Sequence, residues 1–435
     1  MTISVAIIGS GPSAFYTADA LAKSGADCTI DLIERLPAPF GLIRYGVAPD
    51  HETTRKVSRA FDKTARGDKV AFFGNTEVGR DVSLAELRQA YDAVVLAVGA
   101  PNDRPLGIPG SDKKGVYGSA AFVGWYNGHP DFRALNPDLN VKAAAVVGVG
   151  NVALDVARLL VRAKPELEAT DMAQHAVDAI AASPVTDVYL LGRRGAQFAA
   201  FTIGELREMG ELEGASIVID AATLPTSFDD VPEDDRRIQQ KMVEMLRGFA
   251  DLPKDRPKRV HFRFNTSPKE VLGGDRVEGL RVEKMRTENG RAVGTGETED
   301  IPLGLVVAAI GYRSPRIEGG HFDEQKGLYP NDGGLVEPGL YAVGWAMRGP
   351  SGVIGTSKID GQTVAKHIVE AGAGSGQAGK PGRAALEKLL AARKARRTTY
   401  ADWDKIDAAE IARARPGAPR LKFPSVEEML AALGR

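Results

Sequence analysis

"VVGVGNVALD", residues 146–155, is an apolar run broken by Gly-x-Gly and followed at once by helix-forming residues. A chain written this way runs a strand into a tight turn and then a helix, the arrangement that wraps a nucleotide pyrophosphate. The pattern occurs twice, the first time as "AIIGSGPSA" at 6–14. Two such turns predict an α/β protein with two Rossmann-like nucleotide-binding domains.

Composition bounds the same answer. A chain of 435 residues is long for one core, and its 43% hydrophobic and 26% charged residues are ordinary globular values. The net charge of −1 gives no global reason to expect nucleic acid or an anionic membrane. The one cysteine, Cys28, falls in the predicted strand "CTIDLIE" and reads as a small buried hydrophobe. One cysteine excludes an internal disulfide, a Cys-x-x-Cys redox pair, a Cys-ligated iron–sulfur cluster and dithiol–disulfide reductase chemistry. The strand pattern starts almost at the first residue, and no apolar run reaches the ~18–20 residues that span a bilayer. The expected setting is cytoplasmic.

Strands and helices alternate along the chain. A strand at 3–8, a helix from about Pro12 to Lys23 and "CTIDLIE" (28–34) form one βαβ unit. Ser83 opens a short helix with Glu86 in the capping-box position, and "DAVVLAVGA" follows as an apolar strand. A second unit runs through 143–150, a helix at 152–163 and a strand at 185–192; a charged helix spans about 233–249. One strand is expected over 303–313, another over 339–345, and a helix from about Gly352. "AGAGSGQAGKPGR" (371–383) has the composition of a flexible linker, with two short helices beyond it. The related segments "LAVGA" (96–100) and "AAIGY" (308–312) suggest where the chain leaves the first domain and returns. The expected division is therefore 1–103 plus 311–435, carrying the C-terminal tail from about 371, with 104–310 inserted.

The two turns differ in one decisive place. At the first, Gly9 permits the turn, Gly11 lets the backbone approach a pyrophosphate, Ala14 takes the close-packing position, and Glu34 ends the next strand. A carboxylate there suits the ribose hydroxyls of an adenosine, and this turn reads as an FAD site. Gly148, Gly150 and Ala153 repeat the spacing, but the following strand ends in Arg193 and Arg194. Two guanidinium groups suit a 2′-phosphate, which a carboxylate would repel, so the second turn reads as an NADPH site. A nicotinamide gives two electrons together as hydride, and a flavin passes electrons on singly. The pair couples a two-electron donor to a one-electron acceptor.

"LPAPFGLIRYGVAPDH" (36–51), "GNVALDVAR", "GRRG", "FTIGELREM" and "GWAMRGPSGVIGTSKIDG" together resemble the ferredoxin–NADP reductases of the adrenodoxin-reductase type, over about residues 3–370. The resemblance implies FAD contacts at Ser13, Glu34, Leu42, Val78, Trp345 and Gly352–Val353–Ile354. It implies NADP contacts at Asn151, Val152, Ala153, Leu154, Arg193, Arg194 and Glu205, with Gly352 between the cofactors and Arg104 a weaker member. By the same similarity, His51 and Glu208 lie nearest the nicotinamide. Asp155 and Arg158, three apart on one helix, are equally consistent with a structural ion pair. Hydride transfer between the two rings demands neither a nucleophile nor a metal.

Residues 236–259 hold eight Lys or Arg against three acids, with Arg237 and Lys241 on one helix face beside Arg236. This is the surface an acidic ferredoxin-type iron–sulfur protein needs, although an ordinary solvated helix has the same composition. The scaffold alone also admits an NADPH-dependent flavin monooxygenase or quinone reductase, and a non-catalytic redox sensor that binds both nucleotides. Reduction of ferredoxin separates the first reading from the second, and steady NADPH turnover removes the third.

Overall fold

A computed structural model of the chain describes residues 2–375 and 379–434. Two six-stranded sheets carry the fold. The first runs, in spatial order, Leu335–Glu337, Leu340–Ala342, Ala93–Leu96, Ile3–Ile8, Cys28–Ile33 and Val70–Phe73. All pairings are parallel except the hairpin at the Leu335–Glu337 edge. The second is parallel throughout: Val116–Gly118, Leu305–Ala308, Ala143–Val147, Asp187–Leu191, Lys258–Arg263 and Ala215–Ile219. Strand order reverses beside Ile3–Ile8 in one sheet and Ala143–Val147 in the other. Those are the points where an open α/β sheet leaves a crevice for a ligand, and the two glycine turns follow these two strands.

Central strands are buried on both faces, which is why they read as unbroken apolar runs. Phe15, Phe61 and Trp403 pack on one side of the first sheet, and Leu87, Tyr91 and Leu386 on the other. Trp125, Leu154 and Leu246 belong to the core of the second. The first sheet draws strands from 3–96 and 335–342, the second from 116–308. Where the chain passes between them, Asn102–Asp103 and Tyr312–Arg313 pair as an antiparallel ribbon.

Several expectations are refined. The strand expected over 303–313 breaks into Leu305–Ala308 and Tyr312–Arg313, because Gly311 takes φ 106°. The strand expected to reach Trp345 ends at Ala342, and Trp345 opens the one-turn helix Trp345–Arg348. The helix expected from Gly352 starts at Thr356 and continues to Ser375, so 371–375 is helical; 376–378 of the expected linker lie outside the described residues. Beyond the expected linker the described residues of the tail hold three helices rather than two, Arg383–Ala392, Tyr400–Ala412 and Val426–Ala431. Residues 266–302 form a separate three-stranded antiparallel sheet. Among the described residues no helix is long and apolar enough to cross a membrane.

Candidate functional site

Both glycine turns are built the same way. Gly9 sits at φ 108°, and a Cβ there would lie 2.4 Å from the Ala97 carbonyl oxygen. Gly148 sits at φ 135°, and its Cβ would lie 2.2 Å from the Ala309 oxygen. Only glycine fits either place. The repeated segments around Ala97 and Ala309 thus have a second role, as the neighbouring backbone against which each turn packs. Gly11 and Gly150 are the N-caps of the helices Pro12–Lys23 and Asn151–Val161, without a side-chain cap. A Cβ on either would meet no described protein atom within 4 Å. Uncapped helix N-termini facing open space are anion sites, and both fit a pyrophosphate.

The residues expected around the first turn come together. Phe40 N–H donates to the Ser10 carbonyl at 2.9 Å, bringing Gly41 and Leu42 across the helix N-terminus. A Cβ on Gly344 would overlap the Ser13 hydroxyl, so the Gly344–Trp345 turn lies against the same helix end. The Trp345 indole N–H donates to the Ser351 carbonyl at 3.1 Å and ties down the loop bearing Gly352, Val353 and Ile354. Val353 is 63% exposed there, an apolar side chain available to cover a bound ring. Glu34 follows its strand and accepts from Ser10 N–H and hydroxyl at 3.1 and 2.7 Å and from Leu36 N–H at 3.1 Å. The oxygen that takes only Leu36 keeps a lone pair for a ribose hydroxyl. Val78 joins this end through Thr76, whose N–H donates to the Glu34 carbonyl at 2.9 Å.

At the second turn, Ala153 and Leu154 are fully buried and their N–H groups point to the Gly150 carbonyl at 3.0 and 3.2 Å. They pack beneath the turn, and the free first-turn donors are the N–H groups of Asn151 and Val152. Asn151 Oδ1 accepts from Thr202 N–H at 2.8 Å, anchoring the helix Ile203–Gly210 that carries Glu205 and Glu208. Arg193 is exposed and has neither an ion pair nor a hydrogen bond among the described residues. Arg194 stacks 4.8 Å over Phe198 and reaches the Gly290 carbonyl at 3.3 Å. Burial and then the charge of Arg193 lower the pKa of Arg194. Two adjacent cations without a carboxylate between them suit a phosphate. Arg104 lies on the ribbon between the sheets, donating to the Lys326 carbonyl at 3.0 Å.

His51 and Glu208, 157 residues apart, meet at 2.7 Å between His51 Nε2 and Glu208 Oε2. Arg158, which the sequence left as half of a local pair, is the buried hub of this cluster. Its Nη2 lies 2.8 Å from His51 Nε2, 3.0 Å from Asp50 and 2.8 Å from Asp155. That nitrogen has two hydrogens, and the two carboxylates take both. The proton on His51 Nε2 is therefore assigned to Glu208. Arg158 Nη1 and Glu205 Oε2 stand 3.7 Å apart, both buried and both without a hydrogen bond among the described residues. One donor and one acceptor left open side by side complement a carboxamide. Burial, then the charge of Asp155, raise Glu205 to about 7. The ligand atoms of His51, Glu205 and Glu208 lie within 4.8 Å of one another. The Arg158 guanidinium nevertheless stands 3.4 and 3.7 Å from the two carboxylates and repels a metal cation.

On the helix Glu233–Ala250, Arg237 and Lys241 are exposed and flank Ile238, which is 56% exposed. Neither cation has an ion-pair partner among the described residues. Arg236 differs, since its guanidinium donates to the Val231 and Asp229 carbonyls at 2.9 and 3.3 Å.

Residues 3–190 match the family described as pyridine nucleotide-disulphide oxidoreductase. The chain is 43% identical over 446 residues to the NADPH-ferredoxin reductase FprA of Mycobacterium tuberculosis, covering 98% of each. It is 42% identical to the mitochondrial NADPH:adrenodoxin oxidoreductase of Homo sapiens, covering 100% of this chain and 92% of that one. The solved structure of Mycobacterium tuberculosis FprA in complex with NADPH superposes with a TM-score of 0.94 at 41% identity, covering all of both chains. Two uncapped glycine turns, one ended by a carboxylate and the other by an arginine pair, are thus set in a chain similar from end to end to these reductases, and the chain belongs to the family of NADPH-dependent ferredoxin and adrenodoxin reductases.

Proposed function

We propose that this protein is an oxidoreductase that takes electrons from NADPH through FAD and delivers them to a ferredoxin-type iron–sulfur protein. The observation that carries the reading is the difference between the turns: Glu34 at one, and at the other Arg193 and Arg194, neither with an ion-pair partner among the described residues. FAD, when bound, supplies the conversion of a two-electron donation into single-electron steps. The chain's own residues bind, orient and exclude water. In this reading 1–103 with 311–435 forms the FAD domain and 104–310 the NADP domain.

The pyrophosphate of FAD is received by the free N–H groups of Ser13 and Ala14 behind Gly9 and Gly11. Glu34 takes the ribose, and Leu42, Val78, Trp345 and the Gly352–Ile354 backbone surround the remainder. NADPH rests its pyrophosphate on Asn151 and Val152 and its 2′-phosphate on Arg193 and Arg194. The open donor of Arg158 and acceptor of Glu205 receive the carboxamide, placing the ring beside His51 and Glu208. Arg104 borders this space from the ribbon. The exposed Arg237–Ile238–Lys241 face is the docking surface for an acidic partner, with apolar contact at its centre and steering charge around it. A cytoplasmic setting belongs to the same reading and is supported by the lone, buried Cys28.

The purified protein should carry about one FAD per chain, and anaerobic NADPH should bleach it at near-equimolar addition. FMN in its place, or a flavin that NADPH leaves oxidised, refutes the assignment. A monooxygenase would instead hold a stable oxygenated flavin on exposure to air.

A further inference from the structure

The C-terminal tail roots in one half of the molecule and grips the other. Tyr400, Trp403, Ile406 and Met429 are buried in the same cluster as Phe15 and Phe61, beneath the first sheet. Glu410, fully buried, pairs with Arg44 and accepts from Phe423 N–H at 2.9 Å. From this base, residues 413–424 extend to the loop between the helices Lys164–Glu168 and Gln174–Ala182, which belongs to the second unit. Arg415 donates there to the carbonyls of Glu168, Thr170 and Met172 at 3.2, 2.9 and 2.8 Å and to Gln174 Oε1 at 2.9 Å. Lys422, completely buried, reaches Asp171 at 3.0 Å and Asn127 Oδ1 at 3.4 Å.

Asp171 and Asn127 are held from a third side. Arg55 pairs with Asp171, donates to Asn127 Oδ1 at 2.8 Å and to the Val47 carbonyl at 2.5 Å. It ends the one-turn helix Glu52–Arg55 whose N-cap is His51. The tail and the segment that presents His51 therefore share Asp171 and Asn127 as partners. Other pairs also cross between the units, among them Asp50 with Arg158 and Arg162, His51 with Glu208, and Arg35 with Asp131. Covalently the units meet only at the two-stranded ribbon. A polar interface of this kind leaves relative domain motion as the default, and a further attachment by the tail restricts it.

We propose that residues 413–424 are a strap across the two nucleotide domains, and that Arg415 and Lys422 are positioning residues which hold the orientation in which hydride passes. A planar guanidinium is suited to four acceptors on one loop, whereas a buried ammonium with two oxygens fixes a point. The catalytic part of this inference rests on the proposed function.

Arg415→Ala and Lys422→Met test it on the FAD-loaded protein. Limiting flavin reduction and NADPH affinity are read from one anaerobic stopped-flow titration, per bound FAD. A misplacement near 1 Å costs about 10²-fold in such a step. The strap thus predicts a limiting rate lowered about ten- to a hundredfold, with NADPH affinity kept within about twofold because its phosphate site lies wholly in the second unit. A second readout needs no turnover. Spin labels on Lys23→Cys and Lys284→Cys, both exposed and in different units, should give one narrow distance distribution that Arg415→Ala broadens. The native Cys28 is buried and does not compete for label. If Lys422→Met loses flavin, Arg415→Ala decides. Unchanged rate and unchanged distances overturn the strap. A wild-type flavin that NADPH fails to reduce overturns the proposed function instead, and the distances alone then judge the strap.

Discussion

Replacing Arg193 and Arg194 together by glutamine removes the feature that distinguishes the second turn from the first. Arg193 has no partner among the described residues, so its removal breaks no contact within the fold. Arg194 gives up one long bond, 3.3 Å to the Gly290 carbonyl, and its stacking on Phe198. The loss therefore falls on ligand. Hydrogen bonds to a charged group contribute about 1.5–3 kcal/mol each, and two of them at the lower figure give about 3 kcal/mol. Every 1.4 kcal/mol is about tenfold, so NADPH should weaken by roughly a hundredfold or more. NADH, with no 2′-phosphate, should change little. Steady-state KM for both coenzymes, measured with ferricyanide as an acceptor that needs no docking surface, reads the difference. Equal weakening of NADPH and NADH would mean that the arginines support the fold and not the phosphate, and the reasoning would fail.

His51→Ala should slow stopped-flow flavin reduction about tenfold or more while leaving NADPH affinity nearly intact, because the 2′-phosphate lies at the far end of the coenzyme; lost affinity at an unchanged limiting rate would put His51 elsewhere. Glu205, raised to about 7, gives a pH signature. A cationic nicotinamide beside it favours the carboxylate and lowers its pKa, so NADP+ should release a proton at pH 7 and bind more tightly as pH rises through 7. NADPH, uncharged at its ring, brings only the carboxamide hydrogen bond and should show both effects more weakly. Calorimetry in two buffers of different ionisation enthalpy checks this, with Glu205→Gln abolishing the release; equal release for both coenzyme forms would contradict the placement. Arg237→Glu with Lys241→Glu should slow reduction of an acidic ferredoxin about tenfold at low salt, converging with wild type as the Debye length shrinks below about 8 Å. A wild-type rate insensitive to salt would reduce that face to an ordinary solvated helix.

Both turns were legible because their glycines answer local demands: positive φ at Gly9 and Gly148, and backbone packed against each. The Ser83–Glu86 capping box was legible for the same reason, since both its hydrogen bonds lie within four residues. The helix Tyr400–Ala412 carries an equally local signal, a Thr399–Asp402 capping box that the sequence reading passed over. So does the hairpin before Arg291, where Asn289 and Gly290 take positive φ. The hub role of Arg158 was different. Its partners Asp50 and His51 lie more than 100 residues upstream, and no periodicity links a loop to a helix in another unit. The strap was hidden likewise, because Arg415 binds backbone carbonyls, which any sequence supplies.

In the proposed function electrons leave the flavin one at a time for an iron–sulfur centre. Anaerobic addition of limiting NADPH to catalytic enzyme and excess oxidised [2Fe–2S] ferredoxin, followed by the loss of iron–sulfur absorbance, measures this directly. About two ferredoxins should be reduced for each NADPH consumed, since a hydride carries two electrons and each such centre takes one. NADPH oxidised without bleaching of the iron–sulfur band, while a quinone or dioxygen is reduced readily under matched conditions, would contradict it.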